Sequence, residues 1–174
     1  SSNEFEIRII GKGTHAGLPH AGLDPIPVAC QVVQGLQTII SRNLKPVDTG
    51  VISVTQIHAG SATNVIADEC VLVGTVRAFT APVLDMIERR MREVAELTSA
   101  AHGLHAEFHF KRNYPPTVNS AAEADFCAEV MASIVGADQV VNQEPTMGAE
   151  DFSFMLQAKP GAYCFIANGD GAHR

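Results

Sequence analysis

Apolar and polar positions alternate from the start of the chain. In residues 4–11 (EFEIRIIG), Phe5, Ile7 and Ile9 share one side, the period-two pattern of a half-buried strand. Asp24-Pro25 then supplies a helix cap and a proline suited to the first helical position. Val28, Val32, Leu36 and Ile39/Ile40 follow at helical spacing as far as Asn43. Residues 50–57 (GVISVTQI) and 67–79 (ADECVLVGTVRAF) read as two strands joined through a loop at 58–64. After Pro82 the stripe Val83, Ile87, Met91, Val94 and Leu97 predicts a second helix, and residues 104–110 (LHAEFHF) alternate again. The order is β-α-β-β-α-β. Its compact solution is an α+β, ferredoxin-like domain over residues 1–112, an antiparallel four-stranded sheet with two helices on one face.

The pattern changes at Tyr114-Pro115-Pro116, where paired prolines stop helix and sheet alike. Beyond it, residues 120–135 predict a helix opened by Asn119 or Ser120 and closed by Gly136. Residues 147–152 (MGAEDF) open a short helical stretch, and 161–167 (GAYCFIA) form an apolar strand. One helix-loop-strand unit has too little chain to bury its own apolar faces. Residues 113–174 are therefore expected to be a partial α/β segment of a second domain. The loop-like composition of 169–174 points the same way, to a fragment of a longer protein.

Composition narrows the partners. The 174 residues carry 12 Lys and Arg against 19 Asp and Glu, a formal charge of −7. This balance argues against nucleic acid or an anionic membrane as partner. The one basic run, Arg89-Arg90-Met91-Arg92, is interleaved with Glu88, Glu93 and Glu96, as on a solvated helix face. The longest apolar runs fall far short of a membrane span. Cys30, Cys70, Cys127 and Cys164 form no C-x-x-C pair and read as reduced core or near-core residues. Without a signal-peptide pattern, the expected location is the cytoplasm.

The candidate chemistry begins at GKGTHAGLPH, residues 11–20. Its glycines give G-x-G-x-x-x-G, one residue too long for a dinucleotide fingerprint, and no Walker lysine follows. His15 and His20 lie five apart in a Gly/Pro loop, so helical metal pairing does not apply. What remains is a shaped strand-to-helix turn able to present an imidazole, His15 ahead of His20, to a partner surface. His102, His105 and His109 are expected to face solvent rather than to form a zinc site. The loop GSATNVIADE brings the Asn64 amide, a neutral donor suited to an oxyanion, to the mouth of two strands; a plain turn asparagine is the competing reading. Arg77, within apolar CVLVGTVRAF, calls for a carboxylate, either internal or on a substrate. In GAEDF, Gly148, Glu150 and Asp151 stand at a helix start, where acids also serve as dipole caps. There is no G-x-S-x-G elbow and no nucleophilic cysteine signature.

The order of these motifs, G-x-G-x-H-A-x-x-P-H, D-P-I, N-V-I-x-D, G-T-V-R and M-G-A-E-D-F, resembles the metal-dependent amidohydrolases and aminoacylases. Hippurate hydrolases, auxin-conjugate hydrolases and carboxypeptidase-type relatives belong to that group. The resemblance runs from about Phe5 to the C-terminus and implies a two-metal catalytic domain with an inserted ferredoxin-like dimerisation domain. Residues 1–112 would be the insert and 113–174 the re-entry. It further implies that His15 reaches into the partner subunit's active site to polarise the scissile carbonyl and that Asn64 assists. Arg77 would hold the substrate carboxylate, while Gly148 and Glu150 line the pocket.

The family's metal-ligand and general-base motifs are not in this sequence. Divalent ions (Zn, Mn, Co or Ni) are thus expected in the full-length parent and none on this chain, which alone should be inactive. Ala67 also stands where the family usually has proline. The expected function is hydrolysis of N-acyl amino acids, hippurate-like amides among them, by a homodimeric parent. The alternative is a non-catalytic ferredoxin-like self-association module.

Overall fold

The computed structural model describes residues 1–167, in which Ser1–Asn113 form one unit and a second begins at Tyr114. In chain order the first unit holds β1 (Ser2–Ile10), β2 (Thr14–His15), α1 (Pro25–Thr38), β3 (Gly50–Ala59), β4 (Val65–Ile66), β5 (Glu69–Ala78), α2 (Ala81–Ala101) and β6 (His105–Tyr114). The alternation in the sequence is what builds its sheet. Odd positions of β1 and even positions of β5 face inward, because Ile7 stands opposite Leu72 and Phe5 opposite Gly74 in an antiparallel pair. The order is β3-β5-β1-β6, the ferredoxin-like arrangement the pattern predicts, and a bulge between Val54 and Gln56 breaks the β3 register.

Both helices feed the same core. Asp24 Oδ1 accepts the Ile26 amide at 3.0 Å, capping α1, and Pro25 takes its first position. Val28, Val32 and Leu36 of α1 meet Ile7, Ile9 and Leu72 of the sheet and Ile87 and Met91 of α2 in one buried cluster. Each such aliphatic side chain contributes about 1.5–3 kcal/mol on burial. A π-turn at Ile39–Asn43 ends α1 and keeps Ile39 buried.

Several expectations change. Leu97 is 69% exposed, and the inner stripe of α2 continues through Ala95 and Ser99 instead. At 100° per residue Leu97 lies about 200° past Ala95, on the solvent side. Cys70 is buried as expected, yet Cys30, on α1, and Cys164, in the irregular 161–167 segment, are exposed. All four thiols are free.

The second unit contains α3 (Ala121–Val135) and α4 (Phe152–Ala158). Ser120 occupies the cap position of α3 without capping it, and its Oγ accepts the Gly161 amide at 3.3 Å. Asn119 Nδ2 donates to the Tyr163 carbonyl at 3.0 Å, while its Oδ1 accepts the Tyr163 amide at 2.8 Å. Residues 161–167 are consequently not a strand. The backbone of Gly161 and Tyr163 instead bonds to Asn119 and Ser120 at the start of α3. Residues 147–150 are likewise not helical, since α4 begins only at Phe152. Among the described residues no helix is long and apolar enough to cross a membrane.

Candidate functional site

At the end of β1 the chain enters a loop fastened at every step. Gly11 donates its amide to the Asp68 carbonyl at 2.8 Å, and Lys12 and Leu23 exchange backbone bonds of 2.8 and 2.9 Å. Thr14 then pairs with Ile66 and His15 with Val65 in the β2–β4 ribbon, and the Ala16 amide donates to the Asn64 carbonyl at 2.9 Å. This ribbon brings together the two oxyanion candidates of the sequence. His15 stands opposite Val65, the neighbour of Asn64, and both candidates are exposed.

The imidazole of His15 is oriented by its own loop. The Gly17 amide donates to Nδ1 at 3.0 Å. An N–H can only donate, so Nδ1 is the acceptor and the neutral ring carries its proton on Nε2. His15 is thereby presented as an Nε2–H donor. His20 sits on the exposed 3-10 turn Pro19–Ala21, outside this arrangement.

Arg77 is not brought to the ribbon. It lies eight residues along β5 from Glu69, about 26 Å of extended chain from the ribbon's base. Half-buried there, it donates from Nη1 to the Ser1 carbonyl at 3.4 Å.

Gly148 and Glu150 belong to the second unit, and both are exposed. The Glu150 carbonyl accepts the Ser153 amide at 3.2 Å and the Ser153 hydroxyl at 2.6 Å, tying the acid to the start of α4. The Tyr163 phenol lies above its ordinary range, first through desolvation, then through the charge and hydrogen bond of Glu150. Tyr163 is thus a member of this group that the sequence did not single out. Asp68, the last letter of N-V-I-A-D, is another residue whose role here is visible only in the structure. Neither carries a composition signal, since each acts through a contact distant in sequence.

The histidines expected to face solvent do so. His105 and His109 are exposed on β6, and His102 Nε2 is 2.9 Å from Gln31 Oε1. Among the described residues no three His, Cys, Asp or Glu side chains converge to hold a metal ion. The described residues therefore offer no ligand set for a dinuclear centre.

A ferredoxin-like sheet carrying a short ribbon, with His15 on one strand and the Asn64 carbonyl bonded to the residue after it, defines an α+β fold class. The sequence places it further: the chain belongs to the peptidase dimerisation domain family, whose model matches residues 1–103. It is 38% identical over 171 residues to an N-acetyl-L-cysteine deacetylase of Bacillus subtilis, covering 98% of this chain and 40% of the relative. It is 37% identical over 169 residues to IAA-amino acid hydrolase ILR1-like 4 of Arabidopsis thaliana, covering 95% of this chain and 38% of that protein.

Among solved structures, it resembles the YXEP protein of Bacillus subtilis, a dinuclear metal binding peptidase from the M20 family. The TM-score is 0.71 at 33% identity, covering 92% of this chain and 39% of that one. A tripeptidase from Staphylococcus aureus gives a TM-score of 0.74 at 27% identity, covering 90% of this chain and 40% of that one. The chain thus spans about two fifths of the length of the relatives it matches.

Proposed function

We propose that this chain is the dimerising, donor-presenting part of an M20-type amidohydrolase that cleaves N-acyl amino acids, hippurate-like amides among them, to a carboxylic acid and an amino acid. The observation that carries the reading is the Gly17–His15 hydrogen bond, because it leaves Nε2–H free to donate. A carbonyl oxygen gains negative charge as its amide is attacked, and a fixed neutral donor stabilises that charge more than it stabilises the ground state. The amide of Asn64, at the adjoining ribbon position, is a second donor to the same oxygen. The relatives named as a deacetylase of N-acetyl-L-cysteine and as an IAA-amino acid hydrolase support this substrate class.

Arg77 would hold the substrate carboxylate through its planar fork, and Gly148 and Glu150 of the second unit would also contact substrate. The length of β5 between Arg77 and the ribbon, about 26 Å, exceeds a small N-acyl amino acid. One chain's His15 and Arg77 would therefore serve different sites, each site combining His15 of one subunit with Arg77 of the other in a two-fold homodimer. Divalent metal, whether Zn, Mn, Co or Ni, would be held by residues outside this chain.

The test is His15→Ala in the full-length protein. Turnover should fall by about 10²–10³-fold, the effect of deleting one oxyanion donor. Unchanged turnover would favour a self-association module without chemistry.

A further inference from the structure

The β2–β4 ribbon pairs only Thr14 with Ile66 and His15 with Val65. Two residues a side are too few to hold a ladder by themselves. One end is closed by the Ala16 amide on the Asn64 carbonyl. At the other, the Gly13 amide has no backbone acceptor in register and instead donates to Asp68 Oδ1 at 2.8 Å. The carbonyl of the same aspartate accepts the Gly11 amide at 2.8 Å, so Asp68 grips the chain on both sides of Lys12. The approach is close enough to require glycine: a Cβ at Gly13 would lie 2.8 Å from both Asp68 Oδ1 and the Ile66 carbonyl.

We infer that Asp68 is the positioning residue of His15, its carboxylate substituting for a missing ladder acceptor and thereby fixing the ribbon on which the imidazole is mounted. The inference rests on the reading of His15 as an oxyanion donor. A carboxylate accepting an amide makes a stronger bond than a neutral acceptor, which suits a loop with so little ladder of its own. In this reading Asp68 is a positioning residue, not a donor to substrate. It acts through the backbone of Gly13, two residues before His15.

The test needs no substrate. The 174-residue chain, labelled with 15N at histidine and glycine, is measured by long-range 1H–15N correlation in mildly alkaline buffer, together with exchange of the Gly13 amide. The native chain should show a single Nε2–H tautomer for His15. In Asp68→Ala the Gly13 amide should exchange at least about tenfold faster, as expected for loss of a bond to a charged acceptor. The His15 ring should then populate both tautomers. Asp68→Asn keeps an acceptor oxygen and should restore both signatures.

A single tautomer and a protected Gly13 amide in Asp68→Ala overturn the inference. So does an Asp68→Asn chain that behaves like the alanine variant. If Asp68→Ala does not fold, Asp68→Ser, which withdraws the oxygen, replaces it with the same two outcomes. Failure of the hydrolase reading would appear separately, as unchanged turnover in the full-length His15→Ala protein while the tautomer result stands.

Discussion

The Gly17 amide nitrogen donates to Nδ1 of His15 at 3.0 Å, so the residue two places along the loop decides which nitrogen keeps the proton. The contact is also tight in shape. A Cβ on Gly17 would meet the ring at 3.2 Å from Nδ1 and 3.3 Å from Cε1. Gly17→Ala is expected to displace the imidazole by a few tenths of an ångström and leave the fold intact. Since misplacing a reacting group by about 1 Å can cost 10²-fold, turnover of the full-length protein should fall by about tenfold or less. Steady-state kinetics with a thermal melt on the same variant separates this from destabilisation.

The distance between Arg77 and the ribbon yields a second expectation. Full-length His15→Ala and Arg77→Ala proteins, each nearly inactive, should regain activity when mixed under conditions that exchange subunits. Random pairing gives about a quarter of native activity, because half the dimers carry one intact site of two. An absence of recovery after verified exchange would mean that both residues act on one site within a chain.

The division of labour in the first unit was legible because it is written in periodicity. Phe5, Ile7 and Ile9 alternate, Val28, Val32 and Leu36 recur at helical spacing, and each set reaches the core the pattern assigns. His15 and Asn64 stood out as residue types suited to donation, yet their adjacency depends on a ribbon of two residues a side, which no period reveals. Leu97 shows the opposite failure. Its type fits a core stripe, but its angular position does not. Residues 161–167 look like a strand because their composition is apolar and β-prone. The pairing went instead to the side chains of Asn119 and Ser120, and an isolated segment cannot announce its partner.

Leu72 tests the core directly. It is fully buried on β5 opposite Ile7. Leu72→Ala should cost about 2–5 kcal/mol, the transfer term plus the cavity left behind. Urea denaturation followed by a probe in the first unit reads this as a lower midpoint with an unchanged slope.

Glu93 supplies a pH-dependent element on α2. Hydrogen bonds from Arg89, at 2.9 Å, and from Arg90 hold its carboxyl below the ordinary range. A depressed carboxylate stabilises the fold above its unfolded value of about 4.3, and that contribution disappears as pH falls through the lower native value. Glu93→Gln should therefore lower the melting temperature slightly at neutral pH, flatten part of the acid limb, and converge on the native chain once Glu93 is protonated. The pair is solvent-screened, so added salt should shrink the difference.

Cys164 should be a slow thiol. Although the residue as a whole is exposed, partial desolvation of the thiol raises its pKa, and the neighbouring Cys127 adds to the shift. A raised pKa means less thiolate at a given pH, so alkylation by iodoacetamide near pH 8 should lag behind an unperturbed cysteine. Cys127→Ala should accelerate it. Mass-resolved labelling over time measures both.

The fastening of the 11–20 loop also tells a protein engineer where to randomise. Asp68 and Ile66 fill the space at position 13, and the His15 ring fills that at position 17, so variation there disturbs the imidazole. Leu18 and His20 are exposed beside the ribbon. A combinatorial library at those two codons would reshape the surroundings of His15 while leaving its mounting untouched.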